Sequence, residues 1–274
     1  MAAIFVRFCQ QEAQNTTVAF SLFIAFARLA IASIFLLPTY PRLASSSLKG
    51  MYWAMGAGIC LALHFATWIS SLGFTSVTAS VAIVTTNPLW VALLSWWFRE
   101  ESLSRRQWWG IIMALLGSVI VAGGGNSDSV VGENPLLGAI LALMGSWFAS
   151  GYLLLGTEAQ KQGLSTGNYI IIAYLTGALL LAPFPFLFGV GYGGYSENVY
   201  FYLILMAVIS QVIGHTSFNW SLKYLSTTMV ALIILLEPVA SSLLAFLLFA
   251  EIPTVTVGGG ALIVLMGVMI SLKK

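Results

Sequence analysis

The stretch from Ser226 to Glu251 reads STTMVALIILLEPVASSLLAFLLFAE. It is long and apolar enough to cross a bilayer as one helix, yet it carries Glu237 and Pro238 at its centre. An acidic side chain at that depth costs roughly 2.5–3.5 kcal/mol on insertion scales. Proline brings no N–H for the carbonyl of Ile234, and its ring presses on that carbonyl, so a kink is expected there. A freed carbonyl at membrane depth is tolerated against protein or a wet cavity, not against lipid. Glu237 and Pro238 are therefore expected to face inward, onto a cavity.

The same design occurs earlier, from Ser76 to Glu101, as SVTASVAIVTTNPLWVALLSWWFREE. A shift of 150 residues superposes Leu72 on Leu222, Ser76 on Ser226, Pro88 on Pro238, Glu101 on Glu251, Gly110 on Gly260 and Gly117 on Gly267. Eleven of the 46 positions from Leu72 to Gly117 are identical in this ungapped register. Corresponding interrupted helices in two halves of a chain point to a transporter built from repeats, with its site where they meet.

Composition sets the solvent. Of 274 residues, 59% are hydrophobic and 7% charged, too few charges for the surface of a soluble domain. The chain reads as an all-α, multi-pass membrane protein, since helices satisfy their own backbone in lipid. A net charge of +2 without a basic run gives no reason to expect nucleic acid. Cys9 and Cys60 sit in apolar segments without metal-ligand spacing and read as core residues, not a disulfide. Nine full spans are placed, at 18–38, 50–73, 75–98, 105–125, 134–158, 167–190, 198–222, 226–250 and 254–272. Before them, Met1–Gln11 aligns with the segment ending at Thr157, and on that register a first span lacks roughly ten residues at its start. The expectation is ten helices, the first incomplete.

Orientation follows from Lys and Arg. With alternating spans and the N-terminus inside, the inner loops and tail hold Arg42, Lys49, Arg99, Arg105, Arg106, Lys161, Lys223, Lys273 and Lys274. The outer loops hold neither residue type, only acids such as Glu12, Asp128, Glu133 and Glu197. Trp96, Trp97, Trp108 and Trp109 flank one basic connection as an interfacial belt. Five helices per repeat is an odd number, so the second repeat, residues 126–274, is expected to be inverted relative to the first, residues 1–125. The polar junction is Gly123–Asn134. Gly189-Val-Gly-Tyr-Gly-Gly194 matches the letters of a dinucleotide fingerprint but follows an apolar helix, and reads as a flexible outer loop. The glycines at 110, 117, 258, 260 and 267 suit close helix packing.

Few ionisable groups sit at membrane depth: Glu237, Arg7, Arg28, His64 and His215. Arg28, in FIAFARLAIAS, must pair or face water. It is either a buried structural cation or an anion-binding or gating charge, whereas Arg7 is near enough to an outer end to snorkel. His64 and His215 are near-equivalents between the halves. Gln211, His215 and Asn219 recur every fourth residue and stripe one helix face. Thr85, Thr86 and Asn87 beside Pro88 form a second polar patch, and Trp68, Trp90, Trp147, Tyr152 and Trp220 could supply flat apolar walls. No Asp lies within a span and there is no Gly-x-Ser-x-Gly elbow, so neither catalysis nor a metal or other cofactor is expected.

Taken together, the FxRLAIA segment at Phe26–Ala32, TTNP at Thr85–Pro88, LLEP at Leu235–Pro238 and the Glu after each broken span resemble the EamA family of the drug/metabolite transporter superfamily. The resemblance implies a ten-helix bundle around a central cavity, working by alternating access in the plasma membrane (the inner membrane of a bacterium). It implies export of amino acids or other small metabolites, by a monomer or homodimer. By motif position it places Arg28, Asn87, Pro88, Glu237 and Pro238 in the transport machinery; the Trp that family members usually carry in the first helix, the counterpart of Trp147, falls in the part of that helix this chain lacks. Two other readings stand beside it: an organic-phosphate or nucleotide-sugar exchanger of the same superfamily, and a membrane partner subunit that transports nothing. Glu237, beside the proline and without a local counter-charge on its helix, is the expected conformational or proton switch.

The charge asymmetry makes the topology testable. With Cys9 and Cys60 replaced, Ser196→Cys should react with an impermeant maleimide in intact cells. Reaction only after permeabilisation would reverse the orientation.

Overall fold

The computed structural model describes residues 1–39, 47–75, 77–99, 103–123, 134–237, 239–240 and 254–272. Pro238, Glu101, Glu251, Arg42, Lys273, Lys274 and junction residues 124–133 lie outside the described residues. The regular elements described are all helical: α1 (Ala2–Glu12), α2 (Val18–Leu36), α3 (Leu48–Ser71), α4 (Val77–Val84), α5 (Asn87–Arg99), α6 (Arg105–Gly123) and α7 (Pro135–Lys161). There follow α8 (Thr166–Leu181), α9 (Pro183–Leu187), α10 (Glu197–Leu205), a π-helical stretch Met206–His215 running into α11 (Thr216–Ser221), α12 (Thr227–Ile234) and α13 (Val255–Leu272). Among the described residues, six segments are long and apolar enough to cross a membrane: Val18–Leu36, Leu48–Ser71, Ala79–Trp97, Pro135–Lys161, Thr166–Leu187 and Glu197–Ser221. The protein is thus a multi-pass helical membrane protein.

Local chemistry fixes where helices begin. The side chains of Thr17, Ser47, Ser165 and Ser226 each accept a hydrogen bond from the amide three residues on. Asn134 does the same for Leu137, with Pro135 in the first turn, where its missing N–H is not needed. The Gly189–Gly194 segment is a loop, with Gly189 and Gly194 at φ +83° and +89°. It is tied down rather than loose. Tyr192 donates to the Ala182 carbonyl, Tyr200 donates to the Tyr192 carbonyl at 3.1 Å, and Tyr195 stacks on Phe23 with centroids 5.2 Å apart.

The two proline spans are interrupted at equivalent places. Helix α4 stops at Val84 and α12 at Ile234, each four residues before a proline, followed by turns at 85–86 and 235–236. Within the turns, the amides of Thr86 and Leu236 bond the carbonyls of Ile83 and Ile233 at 3.1 and 3.0 Å, a tightened i→i+3 pattern. Helix α7 supports the first break: Ser150 donates to the Asn87 carbonyl at 3.2 Å, and the hydroxyls of Ser146 and Thr86 lie 3.1 Å apart. Further along α7, Thr157 meets Thr227 of α12 at 2.8 Å. The span expected at 167–190 runs from Thr166 to Leu187, its helix interrupted at Ala182 just before Pro183. The π-helical stretch has no precursor in the sequence reading.

Helices in lipid gain little from apolar burial against each other and associate by close packing. A Cβ on Gly110 would lie 2.5 Å from the Gly267 carbonyl oxygen, and one on Gly117 would lie 2.8 Å from that of Gly260. The reverse contacts match: a Cβ on Gly267 would lie 2.7 Å from the Gly110 oxygen, and one on Gly260 would lie 2.9 Å from the Gly117 oxygen. Numbers rise on α6 as they fall on α13, so the two helices run antiparallel. Helix α7 likewise runs antiparallel to α3 and the turn after it, with Gly138 against Thr75, Gly145 against Trp68 and Gly151 against Cys60. Gly258, expected to pack closely, and Gly259 have, in contrast, nothing within 4 Å of their would-be Cβ. Gly117→Leu should therefore destabilise the detergent-solubilised protein by ~1–3 kcal/mol or more, while Gly259→Leu stays within about 0.5 kcal/mol. Thermal unfolding of the two variants checks this; equal midpoints would mean that α6 and α13 do not depend on the glycine contact.

Candidate functional site

Both interrupted spans open onto one cavity of about 380 Å³ in the middle of the bundle. Val84, Thr85 and Asn87 reach it from the first break, and Ile234, Leu236 and Glu237 from the second. Its remaining walls come from Arg28 on α2, His64, Phe65 and Trp68 on α3, Tyr152 on α7, and Ser210, Gly214, His215 and Phe218 on the π stretch and α11. The volume is that of a small-molecule site, mostly apolar with a few placed polar groups.

The guanidinium of Arg28 is the charged feature of this wall. Arg28 is 1% exposed. Its Nε donates to Gln211 Oε1 at 2.7 Å, and its Nη2 reaches the Ser210 carbonyl at a long 3.5 Å. The Phe65 ring covers it, with the ring centroid 4.0 Å from Cζ, a cation–π contact in a desolvated setting. Its Nη1 has no hydrogen-bond partner among the described residues. The Glu237 carboxylate lies 3.9 Å from the Met1 amino group, and its side chain is 41% exposed.

The π-helical stretch explains how Ser210 and Gln211 come to meet Arg28. Side chains reach its carbonyls: Arg28 from α2 approaches that of Ser210, and Tyr174 from α8 and Thr216, the next residue of the same helix, approach that of Gln211, all at 3.5 Å. Such departures from α geometry recur at functional sites. Gln211 is fully buried behind Arg28 and does not reach the cavity, whereas His215, four residues on, does. His215 packs edge-on against Phe65 and Phe218, with centroids 5.4 and 6.0 Å away. Asn219 is also fully buried. Its Nδ2 donates to Tyr152 Oη at 2.5 Å, and its carbonyl accepts from Gln160 Nε2 at 3.0 Å. The polar stripe expected on one face thus divides into one lining residue and two supporting ones.

His64 lines the cavity and stacks on Trp68 with rings 2° from parallel. Its Nδ1 lies 2.8 Å from the Gly145 carbonyl. A carbonyl only accepts, so Nδ1 carries the proton, and Nε2 of the neutral ring is an acceptor. Asn87 is buried at the first break, its Oδ1 without a partner among the described residues. Thr86, Trp90 and Trp147 gather away from the cavity: Trp90 Nε1 donates to Thr86 Oγ1 at 3.2 Å, and the two indoles meet edge to face at 5.5 Å. Trp147 and Trp220 are exposed, at 46% and 54%, and do not line the cavity. Pro88 lies in the first turn of α5, beside Asn87. Sequence reasoning missed Ser210 and Tyr174, two ordinary residues of apolar helices that gave no signal. Among the described residues no group of three or more His, Cys, Asp or Glu could hold a metal ion, and both cysteines are free.

A solved crystal structure is similar to the chain at TM-score 0.74, over 99% of this chain and 94% of that one, at 15% identity, which speaks for the fold alone. No curated protein matches the chain. The model of the EamA-like transporter family matches residues 3–123 and 136–273. With both segments matched and nearly the whole length covered, the chain belongs to the EamA-like transporter family.

Proposed function

We propose that the protein is a secondary transporter that exports small metabolites, amino acids among them, by alternating access around the central cavity. The observation that carries this reading is the meeting of two equivalently interrupted spans at one cavity. Interrupted helices at a repeat interface supply both polar backbone for a ligand and flexible points for a conformational change. The turns at 85–86 and 235–236 are the hinges in this scheme.

The reading includes ten helices in two repeats, residues 1–125 and 126–274, the second inverted. Reciprocal packing supports the inversion. Gly110 meets Gly267 while Gly117 meets Gly260, and in the 150-residue register Gly110 corresponds to Gly260 and Gly117 to Gly267. Contacts that exchange in this way between antiparallel elements are what a two-fold axis in the membrane plane produces. Lys and Arg fall on one side of the spans, which supports cytoplasmic termini in a plasma membrane. The cavity lining has one Lys or Arg side chain among the described residues, Arg28, which disfavours the phosphate-exchanger reading, because a dianionic phosphate calls for more. Oligomeric state, monomer or homodimer, does not enter the mechanism, because the cavity is built within one chain.

Glu237 is the switch in this mechanism. It borders the cavity beside the second hinge, in company with the Met1 amine, Arg28, His64 and His215. Protonated, it can sit against an apolar wall; ionised, it needs water or a cation, so proton binding and helix position are linked. Glu237→Gln keeps the shape and removes the charge. In export assays over a panel of labelled amino acids, this variant should express normally and lose export, or export independently of pH. Wild-type export with an unchanged pH profile would leave Glu237 a structural residue.

A further inference from the structure

One charged group in the cavity wall is left incompletely answered. Arg28 uses Nε on Gln211 and stretches Nη2 to the Ser210 carbonyl, while Nη1 donates to nothing among the described residues. Beside it, Ser210 Oγ and Gln211 Nε2 are buried without partners as well. A buried donor left unmatched costs about 1–3 kcal/mol, and more when charged. Helix α2 could have carried an apolar residue at this position, and Gln211 fixes the guanidinium without satisfying it. Gln211 therefore acts as a positioning residue, holding one edge of the fork so that the other remains available.

We propose that Arg28 anchors a carboxylate subsite, and that the cavity takes a small organic monocarboxylate with a flat apolar body. The inference deepens the transport reading and rests on it for its biological meaning. A guanidinium presents paired donors in its own plane, a geometry that a carboxylate meets with two parallel bonds. Phe65 covers the face of Arg28, so the ligand approaches the edge where Nη1 lies, once side chains of the wall shift to admit it. The body then lies among Phe65, Trp68, Tyr152 and Phe218, which present flat apolar surface to the same space. One negative charge is the limit. A second anionic group finds no other Lys or Arg among the described lining residues, and the Met1 amino group there is already 3.9 Å from the Glu237 carboxylate. A neutral ligand leaves Nη1 unmatched, and a plain cation is repelled by Arg28.

Binding to the purified full-length chain in detergent tests this without requiring transport. The probes are phenylacetate, phenylacetamide, phenylalanine and phenyl phosphate, titrated by calorimetry. Phenylacetate should bind wild type at least about tenfold more tightly than its amide, the value of one charged hydrogen bond. Arg28→Gln should bring acid and amide within about threefold of each other, and Arg28→Lys should keep a reduced preference for the acid. Equal affinity of acid and amide for wild type, or no saturable binding of the acid, overturns the subsite without reference to any variant. Tighter binding of phenyl phosphate than of phenylacetate overturns the single-charge limit. Tighter binding of phenylalanine assigns the ligand to the amino acids, and tighter binding of phenylacetate assigns it to simple acids; either keeps the subsite. An acid that binds in detergent yet is not moved by reconstituted vesicles removes the transport reading and leaves the subsite standing.

Discussion

A backbone interrupted inside a membrane must find its hydrogen bonds within the protein. Two spans of this chain are interrupted at equivalent points, and the rest of the bundle is arranged to meet that demand. The turns tighten their own bonding to i→i+3, and α7 adds hydroxyls from Ser146 and Ser150 at the first break. Val84, Thr85 and Asn87 of the first break and Ile234, Leu236 and Glu237 of the second line the central cavity. The cavity is thus a consequence of the broken helices as much as a place where they happen to meet.

Close packing supplies the complementary rigidity. Glycine contacts bring α6 onto α13 and α7 onto α3 at distances where a single Cβ would strike backbone. These pairs have no slack, so a conformational change must be absorbed elsewhere, and the interrupted spans offer the softer path. Packed interfaces of this kind have discrete arrangements and little continuous give. A bundle made of tight helix pairs and two broken spans is therefore suited to switching between a few states.

What the sequence revealed depended on how local each cause was. The breaks were legible because the missing N–H of Pro88 is a property of that residue, and α4 ends four positions before it as its chemistry requires. Close packing at Gly110, Gly117, Gly260 and Gly267 was legible because small residues recur at matching positions in both halves. Arg28 stood out because an ionisable group at membrane depth needs a reason. The π stretch did not, because it is held by Arg28 and Tyr174 from other helices, which no local pattern announces. Gln211, His215 and Asn219 all turn inward, but their neighbours give them different tasks: Gln211 meets Arg28, His215 lines the cavity and Asn219 holds Tyr152. Residue type placed Trp68 and Trp147 in the same group, whereas the first lines the cavity and the second is exposed away from it.

Arg28 on α2 joins the two family-matched segments, because its partners Ser210 and Gln211 belong to the second. Whatever the guanidinium donates to therefore bears on how the two segments are held together. A ligand shifts a conformational equilibrium only by the difference in its affinity for the two states. A hydrogen bond to a charged group is worth about 1.5–3 kcal/mol, the same order as the few kcal/mol that separate alternative conformations of a protein. A single apolar contact, at ~0.1–0.2 kcal/mol per atom pair, cannot do as much. On the transport reading, recognition and conformational change then draw on the same bond. An anion at Nη1 would sit on the same guanidinium whose Nη2 reaches the Ser210 carbonyl at 3.5 Å, so ligand and second segment share one group.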